Sequence, residues 1–203
     1  MTSTNRVRNA GFAYMVGSGL WLLVIGAQTA IWGIEPPARS AAFYAIEAAY
    51  VVMMLLLLYG FFGVLWSGGL GSSVFGKIAF GIGVLGHLIF VVAEIHSLAI
   101  GTLSDFIALG ALVSALGILL TGITVVAAKR WQGWARWMPL LAGLYPWLFM
   151  FPFYFFSSND PNGFLVAGWG LARLALGLAI RSQENVYPAA EASTSVRLPQ
   201  AKV

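Results

Sequence analysis

The stretch AAFYAIEAAYVVMMLLLLYGFFGVLW, from Ala41 to Trp66, carries one charged residue, Glu47, and is apolar on every helical face. At 1.5 Å per residue its 26 residues reach about 39 Å as a helix, enough to cross a hydrocarbon core about 30 Å thick. A soluble helix would show a polar stripe, and a membrane β-strand would alternate in polarity. This stretch does neither, so it reads as a transmembrane helix.

Five further stretches read the same way: 10–32, 78–100, 106–128, 138–156 and 163–180. The composition agrees, since 60% of the 203 residues are hydrophobic and 9% charged, against about 25% charged in soluble domains. The expected fold class is an all-α integral membrane protein, a bundle of six transmembrane helices. Residues 1–9 form a short N-terminal segment, 10–181 the membrane domain, and 182–203 a polar, Ala/Ser/Pro-rich tail of disordered composition.

Charge placement gives an orientation. Arg6, Arg8, Lys77, Lys129, Arg130, Arg136, Arg181, Arg197 and Lys202 fall on one side, nine of the eleven basic residues, whereas Glu35, Arg39, Asp105 and Asp160 fall on the other. By the positive-inside rule both termini are expected in the cytoplasm, and a plasma-membrane location follows as an expectation. Trp66, Trp131, Trp134 and Trp137 are expected at the cytoplasmic interface, with Trp32 and Tyr154 near the outer one. Basic residues spread over loop ends form no nucleic-acid-binding patch.

Several function classes drop out. The chain has no cysteine, hence no thiolate metal site or cysteine nucleophile. It has no phosphate-binding loop, no G-x-S-x-G elbow and no mid-span lysine for a Schiff base. The two histidines, His87 and His96, face opposite sides of one helix, which excludes a bis-histidine haem within the chain. No cofactor is expected.

Ionisable groups inside spans cost about 2.5–3.5 kcal/mol each at mid-helix, so those retained suggest function. They are Glu47, His87, Glu94 and Arg173, with Gln28 and Tyr50 at a depth similar to the carboxylates. His87 and Glu94 are seven residues apart and share a helical stripe, but lie about 10 Å apart along the axis. That separation argues against joint metal ligation with Glu47. If Glu47, Glu94 and Arg173 share one cluster, two negative charges face one positive, which requires a neutral carboxyl, a cationic His87 or a charged solute.

These residues predict a polar pocket opening outward that binds or transports a small solute or lipid-like molecule, hydrophobic or cationic, with coupling to protons as an option. Two other readings stay open: a non-catalytic accessory subunit, and a small intramembrane acid-base enzyme. Glycines recur at 81, 83, 86, 110, 117, 122, 168, 170 and 177. Such faces suit close helix packing, within the bundle or between copies in a homodimer or larger complex. Pro139, Pro146 and Pro152 predict kinks in the fifth span.

Overall fold

A computed structural model describes residues 3–33, 35–158 and 162–184. Asp160, Arg197 and Lys202, with most of the 182–203 tail, lie outside the described residues. The described chain is helical, without strands, and six helical stretches are long and apolar enough to cross a membrane. This is a multi-pass, all-α membrane protein. The spans are α1 (Ser3–Trp32), α2 (Ala41–Trp66), α3 (Val74–Ile100), α4 (Phe106–Ala128), a composite fifth, and α7 (Gly163–Ser182).

Local chemistry sets the helix starts. The Ser40 and Ser73 hydroxyls each accept a hydrogen bond at 3.1 Å from a first-turn N–H, of Phe43 and Gly76 respectively. Asn162 Oδ1 accepts from Phe164 and Leu165 N–H in the same way. These caps satisfy donors that a helix otherwise leaves bare. Because Ser73 does the capping, α3 begins four residues ahead of the apolar run that starts at Ile78. Gly101 ends α3 in the left-handed region, at φ 75°, where any side chain would also strike Arg39 and Tyr44.

The spans close into a ring, in the order α1, α2, α3, α4, the fifth span and α7, with α7 returning to α1 and α2 also reaching α7. Met53, Met54, Leu57, Phe61, Ile118 and Leu176 fill its middle. Glycine makes the tightest seams. At Gly117 a Cβ would overlap the backbone of Gly83, and at Gly86 that of Ser114, so α3 and α4 pack backbone to backbone. Gly122 and Gly143 do the same between α4 and the fifth span, against Leu140 and Leu119. Gly19, Gly26 and Gly81 have open space where a side chain would go.

The fifth span runs through a 3₁₀ turn (Gly133–Trp137), α5 (Met138–Tyr145), a π-helical turn (Pro146–Met150), α6 (Phe151–Phe153) and a second π-helical turn (Tyr154–Ser158). Proline lacks an N–H and cannot continue the i to i−4 ladder. After Pro146 the register slips by one residue, and the Phe151 N–H donates to the Pro146 carbonyl. The carbonyl that Pro146 leaves without its helical donor, that of Ala142, accepts instead from Trp169 Nε1–H at 2.9 Å.

One end of the bundle carries Arg6, Arg8, Lys77, Lys129, Arg130, Arg136 and Arg181, and is called the basic end; the other carries Glu35, Arg39 and Asp105 and is called the acidic end. At the basic end Trp134 and Trp137 are exposed. Trp131, expected in the same belt, is instead buried, and its Nε1–H donates to Ser67 Oγ at 3.0 Å. An indole with a buried hydroxyl acceptor is held inward and ties the two loops together.

Candidate functional site

Heptad and half-heptad spacings bring one face of each helix to a cavity at the acidic end. On α1 these are Trp21, Ile25 and Gln28; on α2, Glu47 and Tyr50; on α3, Phe90 and Glu94; on α7, Val166 and Trp169. α4 and the outer fifth span complete the wall, so all six spans contribute. The cavity holds about 630 Å³, within the roughly 300–1,000 Å³ of small-molecule sites.

Two carboxyls lie side by side in this cavity. The Glu47 carboxyl is within hydrogen-bonding reach of the Glu94 carboxyl and of the Ser97 hydroxyl. Both residues are buried, at 1% and 3% exposure, and Oε2 of each has no partner among the described residues. An ionised carboxylate only accepts hydrogen bonds, so the two carboxyls can bond to each other only when one of them holds a proton. Ser97 is itself held in place, donating to the Ala93 carbonyl at 3.1 Å and accepting from Ser104 N–H at 2.9 Å. Beside the pair, the Tyr50 hydroxyl donates to Gln28 Oε1.

The remaining wall is aromatic. The Trp21 ring meets Tyr50 and Phe90 at centroid distances of 6.2 Å and stands edge-on to Trp169 at 5.9 Å. Both indole N–H groups are taken up by backbone carbonyls, Trp21 by that of Val166 at 2.8 Å and Trp169 by that of Ala142. Asp105 is a third acid in the wall, and among the described residues no Lys, Arg or His lines it.

Two of the residues singled out from sequence sit elsewhere. Arg173, one helical turn below Trp169, is fully buried with its guanidinium carbon 3.4 Å from the Trp169 ring centroid and 4.9 Å from that of Trp21. Its three guanidinium nitrogens have no hydrogen-bond partner among the described residues. Its charge acts on Tyr14 and His87, and among the described residues no ion pair joins it to Glu47 or Glu94. The three-ion cluster considered from sequence therefore separates into a carboxyl pair in the cavity and a cation beneath its aromatic floor.

His87 belongs to that deeper layer. Its ring stacks on Phe61 at 5.4 Å and 21°, and Nδ1 lies 2.8 Å from the Gly83 carbonyl. A carbonyl only accepts, so Nδ1 carries the proton and the imidazole is held as that tautomer. His96 is exposed at the acidic end, with Nδ1 3.0 Å from Ser104 Oγ. Among the described residues no three His, Asp or Glu side chains converge as metal ligands would.

Sequence reasoning placed Gln28, Tyr50, Glu47 and Glu94 at one depth, and they meet. It overlooked Trp21, Phe90 and Trp169. The spacing of Trp21 to Gln28 and of Trp169 to Arg173, seven and four residues, was the available signal. Comparison with protein-family models, with curated proteins and with solved structures finds no match for this chain.

Proposed function

We propose that this protein binds a small amphiphile with a cationic head in the acidic-end cavity, the head on the Glu47–Glu94 pair and the apolar body against Trp21, Phe90 and Trp169. The observation that carries this reading is the buried carboxyl pair inside an aromatic wall that, among the described residues, has no basic side chain. Carboxylates supply countercharge, ring faces attract cations, and the low-polarity surroundings strengthen both effects. A cation arriving at the pair competes with the proton between the carboxyls, so ligand uptake and proton release are linked.

The buried charge of Arg173, directly below the floor, opposes passage of a cation deeper into the bundle. That favours binding at one end over conduction through the middle. By the positive-inside reading the cavity faces away from the cytoplasm, in the plasma membrane on the simplest assignment.

The test uses the purified protein in lipid nanodiscs with dodecyltrimethylammonium, dodecanol and dodecanoate as probes. The ammonium should raise the unfolding temperature, by an amount equivalent to about 2.7 kcal/mol at a hundred times Kd, and should release protons into weak buffer. Glu47→Gln/Glu94→Gln should lose both effects. Equal shifts from all three probes, or an undiminished shift in the double variant, would refute the role of the carboxyl pair.

A further inference from the structure

The ring of helices is not equally tight along its length. Toward the basic end, α4 and the fifth span are locked together by Gly122 against Leu140 and by Gly143 against Leu119. Toward the acidic end the seam loosens: α4 packs on α3, on α5 and on the 3₁₀ turn, while the outer fifth span packs along itself and, through Pro146–Met150, on α7. Pro146 and Pro152 sit at that divergence, each at or beside a π-helical turn.

The cavity extends into the resulting gap. Leu109 and Leu112 border it from α4, and Phe151, Tyr154 and Phe155 from the fifth span. Leu109 and Phe155 are 46% and 63% exposed. At the depth of a membrane span, a leucine and a phenylalanine exposed to this degree face acyl chains.

The geometry points to a lateral portal between α4 and the outer fifth span, through which a bilayer-dissolved cationic amphiphile reaches the carboxyl pair. This rests on the binding reading above and narrows the ligand to molecules that partition into the leaflet at the acidic end. The charge pattern names the occupant. The lips are apolar and suit a hydrocarbon body, while Glu47 and Glu94 lie at the inner end and suit a positive head. A neutral lipid tail would fill the gap but leave the buried carboxyls without a countercharge.

The test uses the full chain in phosphatidylcholine vesicles with 11-bromoundecyltrimethylammonium, whose bromine quenches nearby indoles. The signal read is the quenching of the cavity indoles Trp21 and Trp169, taken as the difference from Trp21→Phe/Trp169→Phe, because exposed indoles such as Trp134 and Trp137 meet the probe in the bilayer. The chain lacks cysteine, so Leu109→Cys/Phe155→Cys can be bridged by a short bismaleimide, each single cysteine serving as control. Bridging should slow quenching at least tenfold, and the rate in unmodified protein should follow the probe-to-lipid ratio, not the aqueous concentration. Leu109→Phe/Leu112→Phe, which narrows the gap without any reagent, should slow quenching as well.

Quenching at an unchanged rate in both altered proteins, governed by aqueous concentration, would overturn the portal and leave the binding reading intact. No quenching of the unmodified protein by any amount of probe would overturn both.

Discussion

Arg173→Met separates two accounts of the most deeply buried charge. If the guanidinium were the counter-ion of Glu47 and Glu94, removing it would strand buried carboxylates and cost about 3–5 kcal/mol. The structure gives it different company. Its guanidinium nitrogens have no acceptor, and its contacts are the Trp169 ring at 3.4 Å and the Trp21 ring at 4.9 Å. Placing arginine at mid-span costs about 2.5–3.5 kcal/mol. Against this stand a desolvated cation–π contact of about 2 kcal/mol on Trp169 and a weaker one of about 1 kcal/mol on Trp21. The opposing contributions nearly cancel. Methionine gives up both and restores about 0.3–1.5 kcal/mol through thioether contact with the same rings. Reversible unfolding in micelles should therefore find Arg173→Met within about 2 kcal/mol of wild type, and a cycle with Glu94→Gln should be additive within about 0.5 kcal/mol. A loss of 3 kcal/mol or more, or strong coupling in the cycle, would refute the separation of the two layers.

Three further outcomes follow from the packing. Gly117→Leu forces a side chain into the Gly83 backbone and should lower stability by about 3 kcal/mol or more, whereas Gly81→Leu, with open space around it, should stay within about 0.5 kcal/mol; thermal denaturation of both decides this. Trp131→Phe removes the 3.0 Å bond to Ser67 and should cost about 0.5–1.5 kcal/mol by the same assay. Pro146→Ala supplies an N–H that competes with Trp169 for the Ala142 carbonyl, so the fifth span should gain helical order while dodecyltrimethylammonium binding weakens severalfold in titration; unchanged binding would show that this proline does not shape the cavity.

What was legible in the sequence was whatever depended on local pattern. Apolar runs gave the spans, because a helix in lipid must satisfy its backbone internally. Glu47 and Tyr50, three apart on α2, and the depth match with Glu94 and Gln28 pointed to one pocket, since depth follows from residue count. The partner of Arg173 was not legible: depth is one coordinate, and lateral position in the ring depends on which helices adjoin. Charge counting favoured a carboxylate, yet the ring order brings the Trp21 and Trp169 rings against the guanidinium. Trp131 misled for a related reason. A tryptophan at a span end has the composition of an interfacial anchor whether or not a buried acceptor such as Ser67 draws it inward.

The cavity itself follows from two residue types acting at opposite ends of one seam. Glycines at 122 and 143 let α4 and the fifth span touch backbone to backbone toward the basic end. Pro146 then interrupts the helical ladder and shifts the register into a π-helical turn, and beyond it the two spans part. The same proline frees the Ala142 carbonyl, which fixes the Trp169 indole. Trp169 in turn stands over Arg173 and forms the cavity floor. One interrupted hydrogen bond thus both opens the space and holds a wall of it in place. The carboxyl pair is supplied by α2 and α3, across the ring from the fifth span. Opening and recognition are built from separate elements, so Pro146→Ala should alter access and shape while leaving the Glu47–Glu94 contact, and with it the preference for a cation over dodecanol, in place.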